Sequence, residues 1–160
     1  MKKTLIYTLL LSSLFLFNLG NIQAAVQTPV KPLVKQAQSV AYLNVSPVEV
    51  VNNPSRYLNK NITFNAEFVA YTSLGLDYKP AYRDPNKFIG ILVRRPDVSD
   101  YTIPLSEMKI FVSRETAEKN MELDAGDKVK ISGKVFSTAL GDPWVDVTGF
   151  TVVSKKEKSK

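Results

Sequence analysis

The sequence predicts an all-β fold: three strands, a short helix, then two more strands, with a further short helix in front. Three observations carry this expectation. Apolar and polar residues alternate over Asn61 to Tyr71 and again over Lys128 to Phe136, the period-2 pattern of half-buried strands. Turn and breaker residues separate the alternating segments at short intervals. With 160 residues, 44% of them hydrophobic, the chain holds one folded domain and has no comfortable room for a second.

The chain opens on a targeting pattern. Lys2 and Lys3 precede an apolar run from Leu5 to Leu19, Gly20 breaks it, and Ile22-Gln23-Ala24 offers a cleavage site. Residues 1–24 are therefore read as a signal peptide. The run is shorter than the ~20 residues of a membrane span, so no stable membrane anchor is expected. There is no Cys, which excludes a lipoprotein anchor and every disulfide. The mature chain is expected outside the cytoplasm, periplasmic or extracellular, resting on its hydrophobic core alone. Residues 25–44, with Pro29 and Pro32 and no periodicity, read as a flexible linker. Residues 155–160 read as a basic, disordered tail. The folded domain is then 45–154.

Within that domain Ser46, Pro47 and Glu49 have the spacing of a capping box that opens a short helix, which Pro54 should end. The first strand places Ile62, Phe64, Ala66, Phe68 and Ala70 on one face and Tyr71 on the other. A loop from Thr72 to Asn86 follows. The second strand, Phe88 to Arg95, turns Ile89, Ile91 and Val93 inward, and the third, Met108 to Ser113, turns Met108, Ile110 and Val112 inward. Ser113 can cap a short helix reaching Asn120. In the fourth strand Val129, Ile131 and Val135 point inward around Gly133. The last strand, Trp144 to Val153, keeps Val145, Val147, Phe150 and Val152 on the core only if a bulge sits at Gly149.

This order of elements, and the run GDKVKISGKV from Gly126 to Val135, resembles the oligonucleotide/oligosaccharide-binding (OB) fold, nearest to small bacterial periplasmic OB modules. The resemblance covers Asn61 to Val153. It implies a small five-stranded barrel and a binding function, with the ligand on the outer face of the second and third strands. The periplasmic haem chaperones of cytochrome maturation share that barrel but attach haem through His, which this chain lacks.

Having neither His nor Cys, the chain also forgoes imidazole and thiolate metal sites, Cys nucleophiles and His general bases. No cofactor and no catalysis are expected. The formal charge of +6 belongs to the ends: without residues 1–25 and 155–160 it falls to +1, which gives nucleic-acid binding only weak support. Phe88, Arg94, Lys109 and Phe111 fall on the outward register of the second and third strands, flanked by Tyr78, Tyr82 and Trp144. Aromatics interleaved with cations suit a polymeric ligand, whether glycan or nucleic acid, or a partner surface. The opposing reading packs Phe88, Leu92 and Phe111 beneath the 46–52 helix. Lys128, Lys130 and Lys134 on the fourth strand read as solubilising, edge-protecting lysines. Two alternatives stand beside a monomeric binding module. One is an envelope protein-interaction module. The other is a Ca²⁺-dependent phosphodiesterase using Asp97, Asp100 and Glu107, as in secreted OB-fold nucleases of the staphylococcal type, although their Asp-Thr-Pro run is missing.

Overall fold

The computed structural model describes residues 40–99 and 103–157. The expected signal peptide, most of the linker, Asp100 and residues 158–160 lie outside the described residues. Elements follow in the order β1 (Leu43–Asn44), α1 (Pro47–Asn52), α2 (Pro54–Tyr57), β2 (Asn61–Thr72), β3 (Phe88–Val93), β4 (Lys109–Ser113), α3 (Arg114–Glu118), β5 (Lys128–Ser137) and β6 (Trp144–Ser154). Short 3₁₀ turns at Lys79–Ala81 and Ala139–Gly141 lie in the loops.

Strands β2 to β6 close into a barrel. β2 pairs with β3, β3 with β4, β4 with β6, β6 with β5, and β5 returns to β2. All these pairings are antiparallel except β4 with β6. With α3 between the third and fourth barrel strands, this is the OB topology that the resemblance implies.

Closure depends on β2, whose first half pairs with β5 (Asn61↔Lys134 to Glu67↔Lys128) and second half with β3. Where the partner changes, the register shifts between Phe68 and Ala70, leaving Val69 as a bulge. That extra residue reverses the alternation beyond it. Tyr71, expected outward, packs against the core, with its ring centroid 5.0 Å from that of Phe68. Its hydroxyl donates to the carbonyl of Asn120 at 3.1 Å, and burial pushes its pKa up. The bulge in β6 lies at Thr148, one residue before the expected Gly149: Ser132 pairs with Gly149 and Gly133 with Val147. Val145, Val147 and Phe150 reach the core as a result, whereas Val152, expected there too, lies where the register shifts again between Lys128 and Val129 and does not pack on it. At Gly133 a Cβ would overlap the carbonyl oxygen of Asp146, so only glycine lets β5 and β6 approach this closely.

Three local expectations are corrected. Leu43 and Asn44, assigned to the linker, form a parallel strand on Ile62 and Thr63 of β2. The capping box does not form: Ser46 makes no side-chain cap, and Glu49 instead accepts from the Tyr57 hydroxyl and from Arg56. Pro54 ends α1 but also starts α2, which brings Tyr57 beside Glu49 as a competing partner. Lys155 and Lys156, assigned to the disordered tail, are bound to the domain. The Ser113 cap forms as expected, accepting from the Thr116 N–H at 3.2 Å.

Asp127 makes that last attachment. It is the one buried charged residue among the described residues. Its carboxylate accepts the backbone N–H of Lys156 at 2.8 Å and of Asp124 at 3.0 Å, and pairs with Lys155 at 2.9 Å. Those backbone N–H groups, helped by Lys155, hold its pKa down to about 2. A native pKa below the unfolded value stabilises the fold fully above about pH 4 and loses that contribution as pH falls towards the native value. Asp127→Asn is therefore expected to melt at a lower temperature than wild type at pH 7. In thermal melts across the acid range, the difference should shrink from about pH 4 downward, as the wild-type carboxyl takes up its proton.

Candidate ligand groove

Between Lys109 and Ser113 at the ends of β4, the outward residues of β3 and β4 are apolar, and the loop after β2 folds back over Phe111. On that face Gly90 pairs with Phe111, and β4 places Lys109 beside Trp144 and Phe111 beside Asp146 of β6. Loop 73–87 brings Leu76 and Ala81 onto Phe111 and Trp144, and these four are buried as a second hydrophobic cluster. Tyr78, Phe88, Phe136 and Ala139 pack around them. Trp144 is fixed on several sides. Its Nε1–H donates to the carbonyl of Ala139 at 2.7 Å, its ring stacks on Tyr78 at 5.4 Å between centroids, and Phe111 lies at 5.8 Å. Gly75 turns the loop at φ +84°, where a side chain would be strained.

A fork of charge fastens the loop. Arg83 donates from Nε to Asp146 Oδ1 at 2.7 Å and from a terminal nitrogen to Oδ2, the bidentate geometry that gives arginine its hold on carboxylates. Its guanidinium also lies 3.6 Å above the Phe136 ring, so charge and stacking secure it together.

Between this loop and loop 138–143 runs an open groove of about 680 Å³. Tyr78, Lys79, Lys109, Leu140 and Trp144 contribute to its walls. The structure thus brings Tyr78, Lys109 and Trp144 together, but not the whole predicted set. Phe111 and Trp144 are each 1% exposed, so neither is an open platform. The cover is loop 73–87 rather than the 46–52 helix, whose Val50 belongs to the main core. Phe88 is half-buried at the cluster's edge. Lys109 is half-buried, with its charge matched by Asp142 at 3.1 Å. Tyr82 is exposed but does not line the groove. Arg94 sits elsewhere, paired with Glu67 at 3.1 Å beside a separate cleft.

Sequence reasoning missed Leu74 and Leu140, which are 69% and 70% exposed. Leu140 lies on the groove wall with φ +62°, a left-handed conformation uncommon for leucine. An apolar residue in a short polar connection, Leu140-Gly141-Asp142-Pro143, was the available signal.

No protein family and no curated protein sequence matches the chain. Among solved structures it is similar to a protein assigned as an aspartyl-tRNA synthetase from Leishmania major Friedlin, with 14% identity and a TM-score of 0.47 over 81% of this chain and 24% of that one. The asparaginyl-tRNA synthetase of Pyrococcus horikoshii, complexed with asparaginyl-adenylate, shows 19% identity and a TM-score of 0.42, over 63% of this chain and 20% of its own. That of Entamoeba histolytica, also with asparaginyl-adenylate, shows 12% identity and 0.45, over 74% and 25%. The chain spans a quarter or less of each of these proteins. Its assignment to the OB fold rests on the strand order and closure described above.

The burial of Phe111 makes a direct prediction. Phe111→Ala leaves a cavity under loop 73–87 and should destabilise the domain by about 3–5 kcal/mol in urea unfolding. Leu140→Asn, at an exposed left-handed position that asparagine tolerates, should stay within about 0.5 kcal/mol of wild type.

Proposed function

We propose that the chain is an exported, non-catalytic OB-fold binding module that takes a segment of a polymer in the groove between loops 73–87 and 138–143. One observation carries this reading: Tyr78 is held flat against an immobilised Trp144 on the groove wall. A ring fixed beforehand loses little freedom when a sugar or a base stacks on it. OB barrels commonly take ligands on the second and third strands and at the loops joining strands 1–2 and 4–5. Here those loops are 73–87 and 138–143. Lys109 is already matched by Asp142, and Asp77 lines the groove together with Lys79; so weak a positive field suits a sugar chain better than a phosphate backbone.

Leu74 and Leu140 favour a second reading, in which the loops dock an apolar side chain of an envelope protein. Of the carboxylates considered for Ca²⁺, Asp97 and Glu107 are engaged by an arginine, and Asp100 lies outside the described residues. Arg95 holds both Asp97, at 3.1 Å, and Glu107, at 2.5 Å. Glu107's own backbone N–H, and after it Arg95, hold its carboxyl below the ordinary range against the opposing effect of burial.

Arrays of glycans and oligonucleotides and a displayed-peptide library should be screened with wild type, Tyr78→Ala and Leu140→Asn. Loss of the stacking ring should weaken polymer binding by ~1–3 kcal/mol, roughly 5- to 150-fold. Hits indifferent to both substitutions would sink the groove as the site. Peptides with an apolar anchor that respond to Leu140→Asn, beside silent arrays, would establish the second reading. Export is tested separately by mass spectrometry of the natively produced protein, which should lack about 24 N-terminal residues. An intact Met1 in the membrane fraction would overturn it.

A further inference from the structure

The outward register of β5 carries Lys128, Lys130, Ser132, Lys134 and then Phe136. Lysines on an edge strand block unwanted pairing, the role expected for these residues from the sequence. Yet β5 is not an edge. β2 pairs along one side from Asn61 to Glu67, and β6 pairs along the other. The three lysines have no open edge to protect.

Nor are they neutralised. All three are exposed, and none is in an ion pair among the described residues. The register places Glu67 directly across from Lys128, and Asp146 directly across from Lys134. Both carboxylates are taken by arginines: Glu67 by Arg94 at 3.1 Å and Asp146 by Arg83 at 2.7 Å. The other outward neighbours are uncharged, with Asn61, Thr63 and Asn65 on β2 and Gly149 and Thr151 on β6. Alternate residues of a strand lie about 6.7 Å apart, so the row extends for about 20 Å. At the Lys128 end it meets the cleft of about 280 Å³ lined by Asn65, Glu67 and Arg94. At the other end it meets the Phe136 ring under Arg83.

We infer that this row is a binding track for a linear anionic polysaccharide, a sugar chain bearing sulfate or carboxylate groups. Regularly spaced cations on a central strand match regularly spaced anions on a polymer. The hydroxyls of Thr63, Ser132 and Thr151 and the amide of Asn65 offer sugar hydroxyls partners along the same line. Between Lys128 and Lys134 β5 itself carries no aromatic residue, and the ring that reaches this face, Tyr42, has its hydroxyl engaged by the Thr148 hydroxyl at 2.9 Å. The track lies on a different face from the groove and does not depend on it.

The probe is a fluorescent heparin oligosaccharide, followed by anisotropy at about 50 and about 200 mM salt, where contacts between opposite charges weaken steeply. Wild type should bind it at least tenfold more weakly at the higher salt. The triple variant Lys128→Gln, Lys130→Gln and Lys134→Gln should lose tenfold or more in affinity at the lower salt while its melting temperature holds. A control triple variant, Arg56→Gln, Lys87→Gln and Lys119→Gln, removes the same charge away from both the row and the groove and should bind as wild type does. Equal losses in the two triple variants would mean that net charge alone is at work, and the track would be discarded. Tighter binding of a charge-matched oligo(dT) than of the heparin fragment would also overturn the proposal.

Discussion

Every other feature of this domain depends on one strand serving two neighbours. β2 is twelve residues long, and the sheet closes because its first half belongs to β5 and its second half to β3. The bulge at Val69 is the joint between the halves, and the bare glycine at 133 lets β5 bend close to β6. Once closed, the barrel gives each strand an inner and an outer register with different duties. Inner side chains such as Ile62, Phe64, Val129, Ile131 and Val145 supply the cohesion, each worth ~1.5–3 kcal/mol when buried. A chain without cysteine has no covalent alternative to that core.

The outer register divides into two surfaces of opposite character. Over β3 and β4 it is apolar and covered by loop 73–87, which gains enough from burying Leu76 and binding Arg83 to offset the entropy of being ordered. Across β2, β5 and β6 it is polar, with the Tyr42 hydroxyl bonded to Thr148 and the three lysines of β5 exposed. Asp146 connects the two surfaces. Its carboxylate fastens the loop on one side and, being occupied, leaves Lys134 uncompensated on the other. A covered aromatic face and an unmatched lysine row therefore share one cause, the preference of a carboxylate for a forked guanidinium over a single ammonium.

The inner register was legible because alternation is a local property. Met108, Ile110 and Val112, and Val129, Ile131 and Val135, are buried where the period placed them. What escaped was set by partners distant in sequence. An outward Phe111 reads the same whether open or covered, and its cover, Leu76, comes from a loop with no periodicity. Arg94 reads as an exposed cation until β2 supplies Glu67. The swap of Ala70 for Tyr71 follows from a bulge with no glycine to announce it, because the change of partner strand creates it. Glu49 has the spacing of a capping residue, but α2 folds Tyr57 onto it and a hydroxyl donor takes the place of the backbone N–H. At Leu140 the backbone adopts a conformation that the sequence marks only at the following Gly141.

The charge balance shows the same difference between summed and local quantities. A net charge of +1 for residues 26–154 argues against a general attraction to polyanions. A ligand does not meet the sum, because at ordinary ionic strength charges beyond about 10 Å are largely screened. What it meets is the set of groups within that radius and their pairing. On the β3–β4 side, Lys109 with Asp142 and Arg83 with Asp146 cancel. Along β5, Lys128, Lys130 and Lys134 lie within about two screening lengths of each other with no available carboxylate between them. The domain is thus electrically quiet as a whole while one strand keeps a concentrated positive field. Composition cannot reveal that field, because it is created by strand register and by which cation reaches each carboxylate.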